Sequence, residues 1–134
     1  MAKVAFIGLG VMGYHMAGHL KKKGGHDVTV YNRTQAKAQK WVKAFGGASK
    51  RTPRDAAKGA ELVFTCVGND DDLRSVVLGP DGAFAGMSKN AILVDNTTAS
   101  AEVARELAAA GKKQGVGFID APVSGGEAGA INGA

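Results

Sequence analysis

The chain has 134 residues, 45% of them apolar and 22% charged, which allows one domain with a core of its own and excludes a mostly disordered or low-complexity protein. The net charge of +5 suits anionic ligands, but the lysines are spread over helix-like stretches rather than gathered in a stripe, so no nucleic-acid surface is expected. One cysteine, Cys66, excludes an internal disulfide, and the chain shows neither a membrane-length apolar run nor a secretory leader pattern, so a cytoplasmic location without membrane contact is expected.

Val4-Ala5-Phe6-Ile7 is a short apolar run ended by Gly8, which predicts a strand buried on both faces. Met12, Met16 and Leu20 then recur at helical spacing, and Lys21-Lys22-Lys23 before Gly24-Gly25 reads as a basic last turn and its stop. Asp27–Tyr31 is a second, β-branched strand. Thr34 is placed to cap a helix with Ala38, Trp41, Val42 and Phe45 on one face. Ser49 marks a weak edge strand. Thr52-Pro53 is a cap and first turn, and Glu61–Val67 is a further strand. Leu73, Val76 and Val77 form a helical stripe that gives way to the turn Gly79-Pro80-Asp81-Gly82. The strand Ala91–Asp95, a helix with Val103, Leu107 and Ala110 inward, and the strand Val116–Asp120 complete the series. Strands alternating with helical crossovers predict an α/β fold with a doubly wound, mostly parallel sheet.

Gly8-Leu9-Gly10-Val11-Met12-Gly13 fits G-x-G-x-x-G, and it stands between a buried strand and an amphipathic helix. Gly8 permits a tight turn, Gly10 lets the backbone approach a pyrophosphate, and Gly13 lets helix and strand pack closely. The helix N-terminus adds free N–H groups and partial positive charge. At the end of the second strand a carboxylate would bind the ribose 2′-hydroxyl of NAD. The sequence there is Asn32-Arg33-Thr34, and Arg33 offers a planar cation to a 2′-phosphate, so NADP is favoured over NAD. Beyond the last strand, Ser124-Gly125-Gly126 supplies a hydroxyl and backbone N–H groups that suit a carboxylate, although a ligand-free glycine loop is an equal alternative. Cys66 reads as a small strand residue rather than a nucleophile, because no histidine pattern activates it. No metal-ligand pattern is present.

Together, the glycine loop, Asn32-Arg33-Thr34, Asp95-Asn96-Thr97-Thr98 and Asp120-Ala121-Pro122-Val123-Ser124-Gly125-Gly126 resemble the β-hydroxyacid dehydrogenase family. That family includes 3-hydroxyisobutyrate dehydrogenases, tartronate semialdehyde reductases and glyoxylate/succinic semialdehyde reductases, with 6-phosphogluconate dehydrogenase a more distant relative. The resemblance implies a Rossmann-type cofactor domain over residues 1–134. It implies that Gly8 through Gly13 hold the pyrophosphate and that Asn32, Arg33 and Thr34 meet the adenosine ribose. Val67 and Gly68 match a pair bordering the cofactor, Leu-Pro in many members. Asp72 matches a further cofactor-side position and Thr98 a hydroxyl near the nicotinamide. Ser124, Gly125 and Gly126 match the substrate-carboxylate loop. His15 departs from the family's proline and reads as a tolerated helix residue.

The resemblance further implies a homo-oligomeric oxidoreductase acting on a small carboxylate-bearing hydroxyacid or semialdehyde. Its catalytic lysine belongs to a following helical domain, so no catalytic residue is expected within residues 1–134, which by themselves are expected to be inactive. A non-catalytic nucleotide-binding or interaction module is the alternative.

Overall fold

The computed structural model describes residues 3–22, 25–97 and 99–121. In chain order the elements are β1 (Lys3–Ile7), α1 (Val11–Lys22), β2 (Asp27–Tyr31), α2 (Gln35–Phe45), β3 (Ala48–Ser49), α3 (Pro53–Ala57), β4 (Leu62–Thr65), α4 (Asp70–Val77), α5 (Ala83–Gly86), β5 (Ile92–Asp95), α6 (Ala101–Gln114) and β6 (Gly117–Asp120). The strands form one sheet in the order β3-β2-β1-β4-β5-β6, with every pairing parallel. This is the doubly wound Rossmann-type sheet expected from the sequence. The chain runs outward from β1 to β3, then returns to place β4 on the other side of β1. The order therefore reverses between β1 and β4, and ligands of such sheets bind at that reversal.

Strand β1 shows why both faces must be covered. Its side chains alternate, so Val4 and Phe6 enter one apolar layer while Ala5 and Ile7 enter the other. The first layer is closed by α1 and α2 through Ala17, Ala38 and Trp41. The second is closed by α3 to α6 through residues including Ala57, Leu73, Phe84 and Leu107. Phe6 is wholly buried and stacks on Phe64 with ring centroids 5.8 Å apart. Burial of one such side chain is worth roughly 1.5–3 kcal/mol.

Several local expectations are refined. The edge strand β3 exists, pairing Thr29 with Ala48 and Val30 with Ser49. Strand β4 is shorter than the Glu61–Val67 run, because Cys66 and Val67 already turn toward the cleft above the sheet. Thr34 sits at the N-cap of α2 in extended conformation, but its side chain makes no cap hydrogen bond. The cap at Thr52 forms as expected, with its hydroxyl accepting from Asp55 N at 3.1 Å and Pro53 in the first turn. Helix α5 has no counterpart in the sequence reading: four residues cannot display a 3.6-residue period. Helix α1 is described through Lys22, with Lys21 and Lys22 in its last described turn, and the expected stop at Lys23 and Gly24 lies outside the described residues.

The turn from β1 into α1 depends on its first and last glycines. Gly8 has φ +98°, and a Cβ there would collide with the Cys66 carbonyl oxygen. A Cβ on Gly13 would collide with the Gly8 carbonyl oxygen. We expect Gly8→Ala and Gly13→Ala each to cost at least about 2 kcal/mol, in the range of overpacking and positive-φ penalties. Thermal or urea unfolding measures this, and unchanged midpoints would contradict the close approach.

Candidate functional site

A cleft of about 750 Å³ opens above the carboxyl ends of β1, β2 and β4. Its floor is the turn between β1 and α1. That turn is fixed on both flanks: Gly8 N donates to Tyr31 O at 2.9 Å on the β2 side, and Cys66 N donates to Ile7 O at 2.9 Å on the β4 side. A third tie comes from Asn32, whose Oδ1 accepts from Leu9 N at 3.0 Å. The Asn32 Nδ2 donates to Thr34 O at 3.1 Å. Asn32 thus staples the glycine turn to the end of β2.

The structure brings Gly8, Gly10, Met12, Gly13, Asn32, Arg33, Thr34, Val67, Gly68 and Asp72 to this one cleft. Leu9 is different: its side chain is fully buried in the layer under α1, and its N–H is taken by Asn32. Val11 starts α1, so its backbone opens the helix. Thr98, Ser124, Gly125 and Gly126 lie outside the described residues. Arg51 and Thr52 after β3, Pro53 at the start of α3, Ser75 and Val76 from α4, and Asp81 also line the cleft. The sequence reading did not single out this group as site residues. The signal for Arg51 was its place just after the weak edge strand, at the same end of the sheet as Arg33.

Gly10 stands apart from its neighbours in the motif. A Cβ on Gly10 meets nothing within 4 Å. The protein's own packing does not require a glycine there, yet the residue faces the cleft. Above it, the first-turn N–H groups of α1 precede the first bond of the helix, Tyr14 N to Gly10 O at 2.9 Å. No acidic residue occupies that first turn. This is a backbone surface with partial positive charge and room for an anion.

The wall on the β4–β5 side is held by a buried polar chain. Thr65 Oγ1 donates to Asp95 Oδ1 at 2.9 Å, Thr97 N donates to the same oxygen at 2.9 Å, and Val67 N donates to Thr97 Oγ1 at 3.0 Å. Burial pushes the Asp95 carboxyl up from its ordinary value, against the lowering effect of the hydrogen bonds from Thr97 and Thr65. Burial also pushes the Cys66 thiol up, helped by the nearby Asp95 charge. The shift opposes formation of the reactive thiolate, and Cys66 stands half-buried just past the end of β4 rather than inside a strand. On the opposite rim, Arg33 Nη1 lies 3.7 Å from Asp72 Oδ1. The Arg33 side chain is 86% exposed, so this pair is weak and easily exchanged. Among the described residues no group of His, Cys, Asp and Glu could hold a metal ion.

Comparison with known proteins agrees with this architecture. Residues 3–134 match the family described as the NAD binding domain of 6-phosphogluconate dehydrogenase. The chain belongs to that family. An uncharacterized oxidoreductase of Shewanella frigidimarina is 68% identical over the whole chain, which spans 46% of that relative. The structure of Mycobacterium tuberculosis 3-hydroxyisobutyrate dehydrogenase with L-serine superposes with a TM-score of 0.88 at 31% identity, over 98% of this chain and 44% of that one. Psf3 in complex with NADP+ and 2-OPP superposes with the same TM-score, 0.88, at 31% identity, over 97% of this chain and 45% of that one. The resemblance to 3-hydroxyisobutyrate dehydrogenases read from the sequence therefore holds, and this NAD-binding domain spans about half the length of the relatives it matches. Among the described residues, no helix of the domain is long and apolar enough to cross a membrane.

The state of Cys66 gives a direct test. At pH 8 we expect iodoacetamide to alkylate Cys66 more slowly in the folded domain than in urea, because only the thiolate reacts and burial disfavours it. Equal rates would show that burial does not hold the thiol up.

Proposed function

We propose that the domain binds NADP(H), in preference to NAD(H), and serves a protein that transfers hydride between this cofactor and a small β-hydroxyacid or its semialdehyde. The observation that carries the binding site is the open space at Gly10. Gly8 and Gly13 are explained by backbone contacts inside the protein, but Gly10 is explained only by something that approaches from the cleft. A pyrophosphate meets that description, since the first turn of α1 offers it N–H donors. In this reading Gly8 to Gly13 cradle the pyrophosphate, with backbone N–H groups from Val11 onward as donors. Arg33 and Thr34 face the adenosine ribose, and Asn32 acts through the staple to Leu9 N. Val67, Gly68 and Asp72 border the cofactor along the second wall, and Thr98 is proposed to meet the nicotinamide.

The preference for NADP rests on Arg33, which is exposed at the rim with a guanidinium suited to a phosphomonoester. Its present partner, Asp72, is held too loosely to compete strongly. The solved NADP+ complex with the same fold supports the assignment.

When bound, the nicotinamide supplies the hydride-accepting or hydride-donating carbon. The domain's residues bind and orient it, and the buried Asp95 chain fixes the wall at Val67. Ser124, Gly125 and Gly126 are proposed to hold the substrate carboxylate. The substrate class follows the 3-hydroxyisobutyrate dehydrogenases to which the chain is similar. The proton-transfer lysine is placed in sequence beyond residues 1–134, and the whole protein is proposed to be a cytoplasmic homo-oligomer.

Fluorescence titration with NADPH and NADH tests the cofactor assignment. The wild-type domain is expected to prefer NADPH, and Arg33→Ala to weaken NADPH roughly 10- to 100-fold while leaving NADH within about twofold. Gly10→Ala should weaken both cofactors without lowering the melting temperature, separating it from Gly8→Ala and Gly13→Ala. Equal affinity for both cofactors, untouched by Arg33→Ala, would overturn the NADP assignment. The 134-residue chain alone is expected to bind cofactor but not to oxidise 3-hydroxyisobutyrate. Measurable NADPH production by it would place the proton-transfer group within these residues.

A further inference from the structure

The adenosine end of the cleft holds a second arginine. Strand β3 pairs with β2 in parallel, with Val30 opposite Ser49 and Lys50 N donating to Val30 O at 3.0 Å. Two residues beyond that pairing, just past the ends of both strands, the chain reaches Asn32 after β2 and Arg51 after β3. Adjacent strands are spaced about 4.8 Å apart. Continued past the strand ends, that register brings Arg51 toward the Asn32-Arg33 turn, and both arginines line the same cleft. Its mount is fixed from behind. Thr52 caps α3, Pro53 is buried, and Arg54 N donates to Asp81 O at 2.9 Å.

The charge balance at this end decides what Arg51 does. Among the described residues, the charged side chains lining the cleft are Arg33, Arg51, Asp72 and Asp81. Asp72 faces Arg33 at 3.7 Å, and Asp81 faces Arg54 Nη1 at 3.5 Å. Arg51 is exposed and takes part in none of the ion pairs found among the described residues. Asp72 offsets part of the Arg33 charge even in a loose pair, so Arg33 alone supplies only part of the attraction for an extra phosphate. A ribose phosphomonoester carries close to two negative charges at neutral pH. Matching it takes a cation beyond the one already opposed by Asp72.

We propose that Arg51 is a second specificity-determining residue of the 2′-phosphate subsite, supplying the cation that the Arg33–Asp72 pair lacks. This rests on the assignment of NADP as cofactor. Arg33 and Arg51, from the ends of neighbouring strands, clasp the phosphate between two guanidinium groups, while Asp72 reduces the net attraction. An arginine fork suits this task because its N–H groups pair with phosphate oxygens in two-point contacts.

The test measures NADPH and NADH affinities of the 134-residue chain for wild type, Arg33→Ala, Arg51→Ala and Arg51→Lys. Arg51→Ala is expected to weaken NADPH about tenfold and NADH by less than about twofold, with Arg51→Lys recovering part of the loss. Raising the salt concentration should weaken NADPH binding more steeply in wild type than in Arg51→Ala. If Arg33→Ala is selective against NADPH and Arg51→Ala is not, the role of Arg51 is overturned while the NADP assignment stands. If wild type does not distinguish the two cofactors and neither alanine variant alters binding, both fall. An equal loss of NADPH and NADH in Arg51→Ala would also overturn the role, by showing a contact that ignores the 2′-phosphate.

Discussion

The packing of Gly13 on the Gly8 carbonyl is the contact on which the rest of the site depends. It brings the axis of α1 so close to the end of β1 that no side chain fits between them. Because β1 is the central strand, tied to β2 and β4, this approach fixes the helix N-terminus over the point where the sheet order reverses. The positive φ of Gly8 turns the chain there, and Asn32 pins the next residue through Leu9 N. The anion-binding surface is thus made by the backbone and set in place by the sheet. Side chains add selectivity around it, at the rim.

That division explains what could be read from the sequence. The buried parallel strands are legible because each is a short apolar run, and the glycine motif is legible because its spacing and its strand-helix setting agree. The cleft residues at the ends of β1, β2 and β4 follow from the same logic. Arg51 was not legible because its place depends on the register of a two-residue strand, which leaves almost no pattern. The staple made by Asn32 was equally hidden. An asparagine after a strand suggests a ribose contact, and only geometry shows its Oδ1 turned to Leu9 N. Leu9 itself lies within the motif, yet its side chain belongs to the core. A motif gives spacing along the chain and says nothing of which way each side chain points.

The two walls of the cleft differ in kind. The wall at β4 and β5 is dry, and Asp95, Thr65 and Thr97 hold one another in a chain of hydrogen bonds with little access to water. Such a chain is stiff, since each partner would leave a buried polar group unsatisfied if it moved. The wall at β2 and β3 ends in solvent-exposed arginines, and the Arg33 pair with Asp72 is screened and loose. A rigid wall suits the end of a ligand where atoms must be placed accurately. A hydrated, charged rim suits recognition of a phosphate.

The alternation of side chains along β1 also bears on how the domain comes together. The layer containing Val4, Phe6, Val28, Val30 and Trp41 lies almost wholly within one early stretch of chain, from β1 to α2. The layer containing Ala5 and Ile7 is finished only when β4 arrives, and Lys3 N reaches Glu61 across 58 residues of sequence. Loop-closure entropy opposes the second event somewhat more than the first. A folding nucleus in this domain would therefore form around Phe6 and Trp41. The Ile7 side would condense later, with its apolar surface open to solvent until the second half of the sheet docks.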